Sequence, residues 1–486
     1  SGNVTEGNII VNATDKGTVR LILNNASISN TTTAPIKVLD AKKVILTLAD
    51  NTTNTITDSS RLSTEEDYSA AIYSKEDLII NGNGTLNVNA GYRNGIKSTD
   101  DCIVVSGTLN ITSTEDGIIG KDLCGVVAGD ININAGSDGI KSTYDTDTTK
   151  GNVIIEGGNI TIKASNDGIQ AENILVINDG TINIKTNNGA ADTTQTHTDN
   201  MYMGRGGFGF NNNKTTTTTD DTVESRKGIK AGNMLIINDG DITIDSDDDS
   251  VHCNSEIYIY GGTINAATGD DGVHADDLLT VNGGTINITQ CYEGIEADDI
   301  VINDGDISVV SSDDGINSSD VSITINGGNL LINASGDGLD ANGSIIINGG
   351  YIVVLGPTSD GDTAIDYDDS CTINGGTVMA FGSSGMLEIP KGASNGACIV
   401  TAFTSVSGGS KYTLSDSNGN EILSYTPSKA YAAAIVYSDK ITTGNTYDIT
   451  AGSTTLSIEV TSDVTSNVSS GLGKAGGMNM PGNGGS

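Results

Sequence analysis

An acidic residue recurs along this chain at intervals close to 22 residues, each time two positions before an apolar residue that follows glycine or serine: Asp116, Asp138, Asp167, Asp249, Asp271, Glu293, Asp314 and Asp337. Lys227 takes the same place once. Asp270 and Asp313 stand one residue earlier, and Asp276 and Asp298 follow a few residues later. Hard oxygen donors gathered this way are what Ca²⁺ requires, so these twelve carboxylates are the candidate calcium ligands. If the repeats stack at strand spacing, neighbouring like charges repel by about 1 kcal/mol in water and several-fold more at an effective dielectric near 20. The competing reading is a solvated acidic edge that keeps the protein soluble. Asp145, Asp147 and Glu156 mimic an EF-hand loop, but Lys150 stands where that loop needs glycine and no flanking helices are expected.

A second column lies one residue after each apolar marker: Lys97, Lys141, Gln170, Lys230, His252, His274, Glu296, Asn317, Asp340 and Asp366. It runs from basic to acidic. Lys97, Lys141, Lys230 and His274 are candidate contacts for acid sugars, with simple charge balancing of the carboxylate column as the equal alternative. His252 and His274 stand one repeat apart, and the lack of a third nitrogen or sulfur donor argues against zinc. A long interruption, about 188–225, carries Tyr202 and Phe208 among Gly, Asn and Thr, and both are candidates for stacking on sugar rings.

The elements that position these columns follow from the repeat itself. Its clearest copy reads Asp271-Gly272-Val273-His274-Ala275, then Leu279, Val281, Asn282-Gly283-Gly284 and Thr285-Ile286-Asn287-Ile288. Each copy holds three short alternating segments and no helical period. A unit this small cannot bury its own apolar stripe, so the copies must stack. The fold class is therefore all-β, a right-handed parallel β-helix of about a dozen turns near 22 residues each, on the order of 60 Å long. Asn178, Asn238, Asn282, Asn303, Asn326, Asn348 and Asn374 are expected to form a hydrogen-bonded ladder, and the turn glycines to supply positive φ.

The domain division expected is a cap with irregular first turns over 1–66, the β-helix over 67–376, a small β-domain or cap over 377–470, and a Gly/Met-rich tail over 471–486. The 486 residues carry 62 acidic and 24 basic side chains, a formal charge of −38, which excludes nucleic acid and anionic lipid as partners. No apolar stretch is long enough to span a membrane. The composition fits an exported form, outside the cell or on a bacterial cell surface. Six cysteines remain. Cys102 and Cys124 occupy the inward site of adjacent turns, within disulfide reach, although small core packing is the leading explanation. Cys371 shares that site, and Cys253 fills one usually given to Ala.

Ala71-Ile72-Tyr73-Ser74-Lys75-Glu76-Asp77-Leu78, Asn94-Gly95-Ile96-Lys97-Ser98, Gly228-Ile229-Lys230-Ala231, Gly382-Ser383-Ser384-Gly385-Met386 and the Gly/Met-rich tail resemble a family of bacterial surface carbohydrate-binding domains. That family consists of calcium-binding β-helices similar in fold to pectate lyases. The resemblance implies binding of cellulose and acidic, polygalacturonate-like polysaccharide without established catalysis. A calcium-dependent lyase is one alternative, with Lys141 or Lys230 as base, but Arg20, Arg61, Arg93, Arg205 and Arg226 are scattered rather than clustered. The other is a filament or adhesin subunit, assembled by end-to-end self-association of unpaired strands.

Overall fold

The computed structural model describes residues 1–59, 68–191 and 225–468. It is a parallel β-solenoid of about 15 turns, consistent with the right-handed parallel β-helix. A typical turn consists of Asn94–Ser98, Cys102–Val104 and Thr108–Ser113, followed in the next by Ile118–Gly120, Leu123–Val126 and Asp130–Ala135. Ile96 pairs with Ile118, Cys102 with Cys124 and Leu109 with Ile131, all parallel and in register. First and second strands share a 25-stranded sheet, and third strands form an 18-stranded one.

Alternation drives this packing. In Asp130–Ala135 every second side chain is buried, so isoleucines point inward while Asp and Asn face solvent. The marker residues Ile96, Ile140, Ile169, Val273 and Ile316 are fully buried. Glycine plays two separate parts. The second Gly of the Asn-Gly-Gly turn has positive φ, as at Gly284 (91°) and Gly350 (93°). The Gly before the marker does not: a Cβ on Gly272 would lie 2.5 Å from the Gly294 carbonyl oxygen, so close stacking excludes a side chain there.

The stack starts earlier than the marker pattern indicates. Gly2–Thr5 pairs with Ala26–Asn30, Ile9–Asn12 with Ile36–Asp40, and Thr18–Leu23 with Lys43–Leu48. The opening residues are thus turns of the helix, longer than 22 residues and lacking the Gly-Ile signature, which is why about a dozen turns are legible in the sequence. At the other end Thr377–Gly382 pairs parallel with Tyr351–Leu355 and antiparallel with Tyr431–Ser438, so reversed strands cover the sheet edge. A four-stranded antiparallel sheet and a separate apolar cluster around Phe381, Tyr412 and Tyr431 complete that end.

The Asn ladder forms in two runs. Asn238 donates to Asn178 at 2.7 Å, and Asn303, Asn326, Asn348 and Asn374 each donate to the Asn one turn back at 2.8–3.0 Å. Tyr260 interrupts it between Asn238 and Asn282. All six cysteines are buried and unbridged, Cys102 and Cys124 included, so small core packing accounts for them. At the base of the long interruption, Ala190 is anchored to the rod: its N–H donates to Asp245 Oδ1 at 2.8 Å and its carbonyl accepts from Gln290 Nε2 at 2.8 Å. Tyr202 and Phe208 lie outside the described residues. Among the described residues no helix is long and apolar enough to cross a membrane.

Candidate functional site along the acidic edge

The carboxylate column sits at the corner between the third strand of one turn and the first strand of the next. Seven of the eight carboxylates there, all but Glu293, fasten the backbone one turn ahead. Asp116 Oδ1 accepts the N–H of Asp138 at 3.1 Å, Asp138 Oδ1 that of Asp167 at 2.9 Å, and Asp167 Oδ1 that of Lys227 at 2.8 Å. The pattern resumes with Asp249 to Asp271 at 3.1 Å, Asp271 to Glu293 at 3.2 Å, and Asp314 to Asp337 at 2.6 Å. Asp337 in turn accepts from Thr363 N–H. In those seven, one oxygen satisfies an otherwise orphaned corner amide. The other is left for a cation.

Over the first half of the edge the protein supplies that cation. Lys141 Nζ lies 2.6 Å from Asp138 Oδ2, and Lys230 Nζ lies 3.9 Å from Asp167 Oδ2. Lys227 Nζ bridges Asp248 at 2.8 Å and Asp249 at 2.6 Å. Burial opposes the Lys227 charge, but the two carboxylates outweigh it and hold the ammonium well above its usual range. Asp249 is held below the usual carboxylate range despite burial, by Lys227, His252 and His274. Lys97 is half-buried, and burial lowers its pKa against the attraction of Asp116.

His274 lies among Asp271, Glu296 and Asp249, its Nδ1 at 3.4, 3.6 and 3.8 Å from their oxygens. Burial disfavours the imidazolium, yet its bond to Asp271 and the surrounding carboxylates push its pKa up to about 10. Asp270 has ligand atoms within 4.8 Å of Asp248 and Asp249. Burial and the neighbouring carboxylates push Asp270 up to about 8.

The second half of the edge has no such counter-charge. Oxygens of Asp314, Asp337 and Asp340 lie within 4.8 Å of one another. Among the described residues none of the three forms an ion pair with Lys, Arg or His. Burial first, then repulsion from neighbouring carboxylates, Asp366 and Asp368 in the case of Asp340, pushes Asp314 to about 8, Asp337 to about 9 and Asp340 to about 7. Asp313 adds to the field on Asp314 and Asp340. Burial and the charges of Glu296 and Asp271 push the half-buried Glu293 up to about 9. Protonation would silence this donor set, whereas a divalent cation would use it. The residues fit Ca²⁺ by donor type and spacing.

Asp276 and Asp298 stand apart from this cluster. Asp276 Oδ1 is 3.6 Å from His274 Nε2, and Asp298 Oδ1 accepts from Ser319 Oγ at 2.8 Å. Two groupings have no counterpart in the periodic reading. Asp77, Asp100 and Asp101 converge at the corner between first and second strands. The signal was present, since Leu78 and Cys102 are in register and place Asp77 beside Asp101. Tyr258 and Tyr260 stack with centroids 6.5 Å apart and planes at 16°, Tyr260 being 53% exposed. Their alternate outward positions in a strand were the available clue.

A family model described as carbohydrate-binding domain-containing protein matches residues 1–272 and 270–467. A relative with the same description, from Acetivibrio thermocellus, is 36% identical over 115 residues, which are 23% of this chain and 40% of the relative. The match thus spans well under two thirds of that relative's length. A solved structure described as a polysaccharide lyase-like protein from C. thermocellum, in a gadolinium derivative, is 34% identical. The alignment covers 38% of this chain and 77% of that one, with a TM-score of 0.38. With the family model matching nearly its whole length, the chain belongs to the carbohydrate-binding domain-containing protein family.

Proposed function

We propose that this protein works outside the bacterial cell as a non-catalytic binder of acidic, polygalacturonate-like polysaccharide, and that it does so through Ca²⁺ held on the second half of the acidic edge. The observation that carries the reading is the Asp314, Asp337 and Asp340 group, half-buried together and forming no ion pair with Lys, Arg or His among the described residues. Ca²⁺ takes six to eight oxygen ligands, so three carboxylates leave positions for water and for uronate oxygens. Lys97 on the first half of the same face supplies positive charge for a further uronate, whereas Lys141 and Lys230 already face Asp138 and Asp167. The Tyr258 and Tyr260 rings offer an apolar, planar surface for a neutral glucan such as cellulose.

A calcium-dependent lyase is the second reading, favoured by the lowered pKa of Lys97, since a lysine base must lose its proton. Lys141 is less suited, because its ion pair with Asp138 raises its pKa against the effect of burial. Retention on polygalacturonate and on cellulose, with and without chelator, tests the binding reading. Failure of polygalacturonate to retain the protein in Ca²⁺ would overturn it. Appearance of unsaturated uronide absorbance would establish the lyase instead.

A further inference from the structure

Midway along the edge, the side chains of Asp249, His252 and His274 bring one oxygen and two ring nitrogens within 4.8 Å of one another. From this geometry we infer a second metal site, one that takes a borderline first-row cation of the Zn²⁺ class and clamps two consecutive turns. Imidazole nitrogen selects such ions over Ca²⁺, and two histidines with one carboxylate are a sufficient zinc donor set. The absence of a third nitrogen or sulfur donor, which argues against zinc in the sequence, is met by the carboxylate.

His252 carries the inference. The residue is buried, at 8% exposure (its side chain at 11%), and its Nδ1 has no hydrogen-bond partner although Asp249 Oδ2 lies 2.8 Å away. The ring's other nitrogen, Nε2, is 2.8 Å from Asn254 Oδ1. An amide oxygen only accepts, so Nε2 carries a hydrogen and Nδ1 is the ring nitrogen turned toward the carboxylate. A cation between Nδ1 and Oδ2 satisfies both atoms, and a metal ion there would displace the protons that the neighbouring carboxylates favour on the two rings. His274 reaches the same oxygen from the next turn, its Nδ1 at 3.8 Å, with the two rings edge to face at 4.9 Å. Ligands around a tetrahedral ion with bonds near 2.1 Å stand about 3.4 Å apart, and 2.8 and 3.8 Å bracket that value. Lys227 bonds the same Asp249 oxygen, which has a second lone pair to offer. Asp271 and Glu296, both within 3.6 Å of His274 Nδ1, add negative charge and a further donor.

The test uses the full-length chain without an affinity tag, freed of metal and kept in excess Ca²⁺. Zn²⁺ is titrated calorimetrically, and Co²⁺ is added as a spectroscopic probe. The expected result is one saturable equivalent in the presence of Ca²⁺, a Co²⁺ ligand-field spectrum showing nitrogen donors, and a rise in melting temperature. His252→Asn and His274→Asn should each weaken binding more than about tenfold, and Asn254→Ala should weaken it less, because it removes only the bond that orients the ring. His274→Asn changes a partly exposed side chain, and melts of the metal-free variants identify any folding defect. Absence of saturable binding, displacement by Ca²⁺ at equal concentration, or affinity within about twofold of wild type in folded His274→Asn would overturn the site. None of these readouts involves polysaccharide, so this inference and the function proposed above fail separately.

Discussion

Asp249 Oδ1 accepts the backbone N–H of Asp271 at 3.1 Å, so a side chain whose spacing reads as a cation ligand is at the same time a fastener between turns. The same holds for most of the column. A substitution there tests two roles, and the choice of replacement separates them.

Asp167 makes the separation clearest, because its Oδ1 takes both the Lys227 N–H at 2.8 Å and the Ser225 hydroxyl at 2.7 Å. Asp167→Ala leaves a buried amide unsatisfied and is expected to cost about 1–3 kcal/mol of stability. Asp167→Asn keeps an acceptor and should cost less. Thermal and denaturant melts of both variants check this, and equal losses would show that charge rather than the backbone bond is what matters.

The second half of the edge should make stability depend on pH when Ca²⁺ is removed. Folding raises the pKa of Asp314, Asp337 and Asp340 to about 8, 9 and 7, above the unfolded carboxylate values. Their contribution is therefore fully present below the unfolded pKa, near 4, and is lost as pH rises through the folded values. In chelator the melting temperature should fall between about pH 5 and pH 9, and Ca²⁺ should flatten that fall. A melting temperature that holds or climbs over this window would contradict the assignment.

Calcium and sugar binding should separate by variant. Asp314→Asn with Asp337→Asn should weaken Ca²⁺-dependent retention on polygalacturonate by about tenfold or more, since ligand charge sets affinity in oxygen sites. Retention on cellulose should be untouched. Tyr260→Ala should give the opposite pattern, and affinity electrophoresis on the two polymers reads both. Loss on both polymers in either variant would indicate a general defect instead of two surfaces.

Six thiols should titrate in the denatured, unreduced protein, because every cysteine is buried in the rod or its cap and none is bridged. A count of four would mean that Cys102 and Cys124 pair after all.

The fold was legible because a solenoid writes its geometry into its period. Gly272 and Val273, Gly294 and Ile295, and their counterparts mark where most turns of the rod begin, and stacking converts that spacing into columns without further information. The opening turns are legible only as irregular first turns, because Ile9, Ile36 and Ile72 are in register but separated by longer excursions without the glycine signature.

Sequence by itself determined which residues share a column, since register follows from a repeat near 22 residues and from alternation along each strand. It could not determine what each column member faces. Whether Asp138 meets Lys141, Asp249 meets His252, or Asp337 meets carboxylates and the Thr363 N–H depends on side-chain direction and burial across turns, at distances of 2.6 Å in the first case and 2.8 Å in the second. Those distances exist only once the turns are stacked. The acidic edge, uniform as a pattern, is thus divided by tertiary packing into a half neutralised by the protein's own lysines and histidines and a half that lacks them, because an interaction between charges is set by separation and dielectric and not by position in the chain.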